Sequence, residues 1–224
     1  MLDLFCGAGG CSVGYMRGFT AAGLDVHITG VDLAAQPNYP YRFVQADAMT
    51  YPLDGFDFIH ASPPCQAFTT MSNRWRGKGG AADSHVDLIA ATRERLEAAG
   101  VPWVMENVAG AKSAMRNAFT LTGGMFGLGV HRPRLFESSE MVMLHSKVGP
   151  PTGAIGVYGK LDGRRVWTRA DGTEQRAPRT LEEAREAMGI DWMEWDELRE
   201  SIPPAYTEFL AGQIAPALTE RSAS

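Results

Sequence analysis

Cysteine is scarce in this chain, with three among 224 residues. An odd number argues against a disulfide framework and favours a reducing compartment, so we expect a cytoplasmic protein. Cys6 and Cys11 have no second Cys or His pair at metal-binding spacing, so we expect no metal site. No apolar run approaches the ~20 residues of a membrane-spanning helix, and the first residues lack the pattern of a signal peptide.

An excess of positive charge is also missing, since the net charge is −5. Taken over the whole chain, this value speaks against a nucleic-acid partner. The distribution is uneven, however: residues 145–180 hold seven Lys or Arg against three acids, and residues 181–200 hold eight acids against two arginines. A local basic patch is what meets phosphates. Residues 145–180 therefore predict either a nucleic-acid contact or a solvated basic hairpin.

The order of apolar runs predicts an α/β fold. Over residues 1–140, short apolar runs alternate with amphipathic stretches, which is typical of a doubly wound, mainly parallel Rossmann-like sheet. We expect strands at 1–5, 26–31, 43–46, 56–60, 103–106 and 134–136, and helices at 12–22 and 84–99. Turns and hairpin strands over 141–178 predict a small β-rich insertion. Residues 179–224 then supply C-terminal helices, at 181–188 and 205–218, that complete the core.

One cysteine lies in a stiff segment, where Cys65 follows Pro63 and Pro64 and precedes Gln66. Each proline fixes its own φ and restricts the residue before it. The preceding strand places Cys65 at the carboxyl edge of the sheet, where ligands bind in open α/β folds. A thiol there is a candidate nucleophile, although a buried structural cysteine is the commoner role of a lone Cys.

A glycine-rich turn and two carboxylates follow the first three predicted strands. Residues 5–10 read FCGAGG between the first strand and the first helix, where glycine lets the backbone approach a ligand closely. Asp32 ends the second strand, where a carboxylate commonly accepts ribose hydroxyl groups, and Asp47 follows the third. The pair predicts an adenosine pocket, but each carboxylate could equally cap a turn or a helix.

Together these motifs resemble the cytosine carbon-5 DNA methyltransferases. The matching segments are DLFCGAGG at 3–10, PPCQ at 63–66 and ENV at 106–108, in the family's order and spacing. Weaker matches are RPR at 132–134, RTLEEA at 179–184 and IPP at 202–204. The resemblance spans about residues 1–213.

The resemblance implies a catalytic set of five residues. Cys65 would add to carbon 6 of a flipped cytosine, and Glu106 would hydrogen-bond the ring nitrogen and exocyclic amine, which favours a carboxyl of raised pKa. Asn107 would hold the Cys65 loop. Arg132 and Arg134, one residue apart on an extended segment, would point to one side and clamp the base carbonyl and a phosphate.

The resemblance also implies S-adenosylmethionine as cofactor and double-stranded DNA as substrate, bound by a monomer. The cofactor residues would be Phe5, Cys6, Gly7, Gly9, Gly10, Asp32, Leu33, Asp47, Ala48 and Pro63. The DNA-binding residues would be Gln66, Ser72, Arg74, Arg76, Arg164, Arg165 and Arg169. Residues 67–83 would form a loop that closes over DNA.

Three departures from the family pattern carry further expectations. Val130 stands in place of a glutamine, which removes one base contact. Arg199 and Glu200 replace a Gly-Asn pair near the cofactor, so the donor could be a modified form such as carboxy-S-adenosylmethionine, which would give 5-carboxymethylcytosine. Only about forty residues occupy the place of the target-recognition domain, which predicts short or relaxed sequence specificity.

Two other functions remain open on the sequence. One is RNA cytosine methylation with the same motifs. The other is a nucleic-acid-binding module without catalysis, against which Cys65, Glu106 and Arg134 argue.

Overall fold

A computed structural model describes residues 1–64, 88–144, 148–168 and 174–222. Its main feature is a seven-stranded sheet in the order β3-β2-β1-β4-β5-β7-β6. The strands are β1 Leu2–Leu4, β2 Thr29–Asp32, β3 Arg42–Gln45, β4 Ile59–Ala61, β5 Trp103–Val108, β6 Phe119–Leu121 and β7 Arg134–Ser138, followed by a separate hairpin of β8 Val166–Thr168 and β9 Glu174–Arg176. The helices are α1 Gly10–Ala21, α2 Ile89–Ala99, α3 Leu181–Met188, α4 Trp195–Leu198 and α5 Pro204–Ser222.

The predicted α/β class is confirmed. Strands β1 to β5 pair in parallel, and β7 runs antiparallel to both of its neighbours. The predictions missed β6, because only Leu121 of its three residues is buried and so no apolar run marks it. Two short 3-10 helices, Ala109–Ala111 and Gly123–Phe126, flank that strand.

Element boundaries differ from the predictions by a few residues. Strand β2 begins at Thr29 rather than residue 26, and α2 begins at Ile89, while residues 84–87 lie outside the described ranges. Helix α3 covers the predicted span, because the Thr180 hydroxyl accepts the Glu183 N–H at 3.1 Å and caps its first turn.

The last helix packs tightly on the first. A Cβ atom on Gly14 of α1 would lie 2.1 Å from the Pro204 carbonyl oxygen, and one on Gly18 would lie 2.5 Å from the Ala211 side chain. The absence of side chains at these two glycines therefore permits the close approach of α1 and α5. Tyr15 and Tyr206 are fully buried in the core that these helices share with the sheet. This packing fixes the position of the glycine turn that precedes α1.

The segment between β7 and α3 has two isolated β-bridges, one to the core and one within the segment. Val130 pairs with Ile155, and Ile155 pairs in turn with Arg176. In the described part of the chain, no helix is both long enough and apolar enough to cross a membrane.

Candidate active site

A cavity of about 290 Å³ opens where the sheet changes its winding direction, between β1 and β4. The chain leaves β1 for β2 on one side, and it leaves β4 for β5 on the other. Ligands of open α/β sheets bind at such a switch point, beyond the carboxyl ends of the strands. The walls include Cys6, Gly7 and Gly10 of the glycine turn, Ser62 after β4, and Asp196, Glu197 and Glu200 from α4 and the residues after it.

The glycine turn presents backbone to this cavity. Gly7 has φ +49°, in the left-handed region that favours glycine, and a Cβ atom there would meet nothing within 4 Å. Gly9 has φ +86°, and its Cβ would lie 2.8 Å from the Pro40 ring. Packing against Pro40 therefore requires glycine at residue 9. At residue 7 the space beside the backbone is open, and this residue lines the cavity.

Asp3 provides a buried carboxylate at the floor of the cavity. Its Oδ2 accepts a hydrogen bond of 2.5 Å from the Ser12 hydroxyl, which also lies 2.6 Å from the Tyr39 hydroxyl. Its Oδ1 is buried and has no hydrogen-bond partner among the residues that the structure describes. Burial raises the pKa of Asp3 to about 7, and the nearby Asp32 adds to the rise. A positive charge in the cavity would favour the ionised form.

The opposite wall is acidic as well. Glu197 accepts two hydrogen bonds, of 3.0 and 2.9 Å, from the Asn38 amide, which joins α4 to the segment after β2. Arg199 is ion-paired with Asp196 at 3.1 Å and lies outside the walls, whereas Glu200 forms part of them. Among the described residues, the cavity therefore has several carboxylates and no basic side chain in its walls. Of the three acids Asp196, Glu197 and Glu200, the sequence predicted only Glu200 near the cofactor. Asp196 and Glu197 look like ordinary helix residues.

The other seven predicted cofactor residues lie outside the walls of this cavity. Both carboxylate oxygens of Asp32 accept backbone N–H groups, from Gly7 and Ala34, each at 3.0 Å. Asp47 accepts the Met49 N–H at 2.8 Å. These are the turn-capping contacts that the sequence left as an alternative to ribose or base binding. The predicted residues outside the cavity walls are Phe5, Gly9, Asp32, Leu33, Asp47, Ala48 and Pro63.

Glu106 and Arg134 form a buried pair on adjacent strands. Residues Glu106 of β5 and Arg134 of β7 are 6% and 9% exposed, and Arg134 Nε lies 3.1 Å from Glu106 Oε1. Within the described ranges, that oxygen has no aligned hydrogen bond. Burial raises the pKa of Glu106 to about 7, against the opposing effects of Arg134, Ser62 and Arg132. The carboxyl can therefore hold or release a proton near neutral pH.

Asn107 links this strand to the chain that leads to Cys65. Its Nδ2 donates a hydrogen bond of 3.1 Å to the Pro63 carbonyl, and its Oδ1 accepts the Val108 N–H at 2.9 Å. Cys65 itself lies outside the described residues, as do Gln66, Ser72, Arg74, Arg76 and Arg169.

Arg132 is placed differently from the expectation that it extends beside Arg134. Its φ is +35°, so the backbone is not extended, and the residue is 1% exposed. Its guanidinium donates to the carbonyl oxygens of Ser201, Val157 and Arg199 at 2.8, 3.0 and 2.7 Å. Since each nitrogen donates one of these hydrogen bonds, Arg132 joins the insertion to the C-terminal segment.

Arg164 and Arg165 lie in an exposed turn that leads into β8. The Asp162 carboxylate accepts both of their backbone N–H groups, at 3.1 and 3.3 Å. The turn leaves both arginine side chains at the surface of the insertion, where they can meet phosphates.

Solved methyltransferase structures share this fold. A prophage-encoded E. coli protein named as a DNA modification methyltransferase has a TM-score of 0.62 and 14% identity, over 97% of this chain and 99% of that one. The Entamoeba histolytica methyltransferase EhMeth gives 0.58 and 14%, over 99% and 98%. The S. pombe Dnmt2 methyltransferase gives 0.54 and 13%, over 96% and 98%. No protein-family model and no curated protein matches the sequence, so the likeness establishes a Rossmann-like methyltransferase fold.

Proposed function

We propose that the protein transfers a methyl group from S-adenosylmethionine to carbon 5 of a flipped cytosine in double-stranded DNA. The observation that carries this proposal is the buried Glu106–Arg134 pair, joined through Asn107 to the backbone two residues before Cys65. A nucleophile, a carboxyl that titrates near neutrality and a guanidinium are the groups that addition to a cytosine ring requires.

Four residues of the chain have separate roles in the proposed reaction. Cys65 as thiolate adds to carbon 6, and Glu106 gives a proton to the ring nitrogen that receives the displaced electron pair. With S-adenosylmethionine bound, carbon 5 would take its methyl group and leave S-adenosylhomocysteine. Glu106 would take back the proton from the ring nitrogen, and transfer of the carbon-5 proton to a base would re-form the ring double bond and expel the Cys65 thiolate. Arg134 holds Glu106 and offers a second donor to the base. Asn107 fixes the start of the Cys65 loop.

The cavity residues fit an S-adenosylmethionine molecule. When bound, that cofactor supplies an electrophilic methyl group on a positively charged sulfur. The carboxylates Asp3, Asp196, Glu197 and Glu200 line the cavity, which suits the ammonium and sulfonium charges. The volume of about 290 Å³ is near the lower end of small-molecule pockets, roughly 300–1,000 Å³.

The same charges favour the ordinary donor over its carboxylated form. An added carboxylate would enter a cavity whose walls include Asp196, Glu197 and Glu200. Arg199 is already ion-paired with Asp196 at 3.1 Å and lies 3.9 Å from Glu200. Like charges within a few ångströms in a partly buried site repel each other strongly. We therefore expect a mass increase of one methyl group in the product.

The insertion supplies the proposed DNA contact. Arg164 and Arg165 are exposed on it, and β8 and β9 are three residues each. So small a surface presents few side chains to base edges, which supports short or relaxed sequence specificity.

Covalent trapping tests this function. DNA containing 5-fluorocytosine should form a denaturation-resistant complex in the presence of S-adenosylmethionine, and peptide mass spectrometry should place the bond at Cys65. Cys65→Ala should form no complex. Cys6 and Cys11 serve as internal controls, because burial raises the pKa of both thiols and suppresses thiolate formation. A complex formed with RNA alone would mean that the substrate is RNA. If neither DNA nor RNA formed a complex, the proposed function would be refuted.

A further inference from the structure

A buried histidine that the proposed reaction does not use lies on β4, the strand next to the one that carries Glu106. His60 on β4 is fully buried. Its Nδ1 lies 3.1 Å from the Tyr15 hydroxyl of α1, and its Nε2 lies 2.9 Å from the Ser62 hydroxyl. Ser62 in turn lies in the cavity wall and follows Ala61, which pairs with Met105 of β5, so the register of the two strands brings Ser62 next to Glu106, whose pKa it lowers. A chain of polar groups thus runs from the helix core to the carboxyl of the proposed reaction.

A neutral His60 lets these hydrogen bonds run in one direction, from Tyr15 toward Ser62. Burial lowers the pKa of His60 to about 3, so the imidazole is neutral and has one donor and one acceptor nitrogen. Tyr15 is fully buried, and burial raises the pKa of its phenol, which therefore keeps its proton. If the phenol donates to Nδ1, the proton of His60 is on Nε2 and is donated to Ser62. The Ser62 hydroxyl is then left to donate to Glu106.

We propose that His60 and Ser62 are positioning residues that orient Glu106 and set its protonation through this relay from Tyr15. The proposal rests on the proposed function, since it gives a role to the carboxyl that protonates the base. A hydroxyl held as a donor stabilises the carboxylate form and opposes the effect of burial. Without the relay, Glu106 would stay protonated to a higher pH.

Other charged and titratable groups also act on Glu106 and must be kept constant. Among the described residues they are Arg134, Arg132, Cys11, Tyr15 and Tyr206. The two arginines favour the carboxylate from the side of β7, whereas the relay reaches it from β4. Substitutions along the relay leave both arginines in place, so they separate the two effects.

Carbon-13 NMR of glutamate-labelled protein measures the protonation of Glu106 directly, without DNA or cofactor. The signal is assigned by its loss in Glu106→Gln. We expect a midpoint near pH 7 in the unsubstituted protein, and a midpoint higher by about one pH unit or more in Ser62→Ala. His60→Phe keeps the ring volume and removes both nitrogens, and it should move the midpoint in the same direction. Tyr15→Phe, the mildest change, should do so by less.

A matched control removes a buried hydroxyl elsewhere. Thr207 is fully buried and donates to the Cys11 carbonyl, so Thr207→Val has a comparable packing cost but leaves the relay intact. The Glu106 midpoint should not move in this variant. An equal shift in Thr207→Val, or no shift in Ser62→Ala and His60→Phe, would overturn the proposal.

The pH dependence of kcat gives a second readout. Because Glu106 acts as a proton donor, activity should fall as pH rises through its pKa, and this alkaline limb should move upward in Ser62→Ala while KM changes little. A shifted NMR midpoint in a protein that forms no adduct with 5-fluorocytosine would refute the proposed function and leave the effect of the relay on Glu106 standing. An unshifted midpoint with a normal adduct would refute the relay alone.

Discussion

Replacing Asp3 with asparagine should remove one source of the pH dependence of stability and should also weaken cofactor binding. Asp3 is fully buried, and its pKa is raised from an ordinary 3.8 to about 7. The folded protein therefore binds this proton more tightly than the unfolded chain does. The stabilising contribution is complete below about pH 3.8 and is lost as pH rises through 7. Asparagine has no proton to lose, so the contribution disappears in Asp3→Asn.

The size of the effect follows from the two pKa values. Between pH 5.5 and 8.5, the unsubstituted protein should lose about 2 kcal/mol of unfolding free energy relative to Asp3→Asn. Urea unfolding at both pH values measures this difference, and the titrations of other groups cancel in it. Asp25→Asn is a suitable control, because the Asp25 side chain is 93% exposed and the change should stay within about 0.5 kcal/mol.

The same substitution should weaken binding. Asparagine lacks the negative charge of Asp3, and its amide can present an N–H donor to a cationic ligand. Loss of a hydrogen bond to a charged group costs about 1.5–3 kcal/mol, so the Kd for S-adenosylmethionine should rise about ten- to a hundredfold. Titration calorimetry measures this change. Equal pH slopes of stability for the two proteins, or an unchanged Kd, would refute the role given to Asp3.

Three further substitutions test other parts of the site. Glu106→Gln should lower kcat about 10²- to 10⁴-fold in a methyl-transfer assay, because the general acid is lost; full activity would remove Glu106 from the chemistry. Arg132→Lys should lower the urea unfolding free energy by about 2–4 kcal/mol, since one ammonium cannot reach three separate carbonyl groups; lost turnover at unchanged stability would instead restore Arg132 as a substrate clamp. Arg164→Ala with Arg165→Ala should reduce the slope of log K against log salt for DNA by about 2, whereas Arg116→Ala, outside the insertion, should leave the slope unchanged.

The order and type of the main elements could be predicted from the sequence, because they depend on local patterns. The capped span of α3 follows from Thr180 and Glu183, which act within one turn of helix. Strand β6 could not be predicted, since its only buried side chain is Leu121 and its partner β7 follows it by more than ten residues.

The site residues that belong to family motifs could be predicted from the sequence. The contacts between residues that are distant in sequence could not. The role of Arg132 depends on carbonyl groups of Val157, Arg199 and Ser201, which are 25 to 69 residues away in sequence. No local spacing encodes such a contact. Likewise, His60 looks like one polar residue in a buried strand, and only its distances to Tyr15 and Ser62 indicate a relay.

The central claim is that Cys65 and Glu106 direct one methyl group to carbon 5 of cytosine in DNA. Nucleoside mass spectrometry of DNA and RNA from cells that express the protein tests it most directly, with Cys65→Ala as the matched control. We predict 5-methylcytosine in the DNA of cells with the unsubstituted protein, and none above background with Cys65→Ala. A larger added group would contradict the assignment of the donor, a modified base confined to RNA would contradict the assignment of the substrate, and unmodified nucleosides in both would contradict the enzyme.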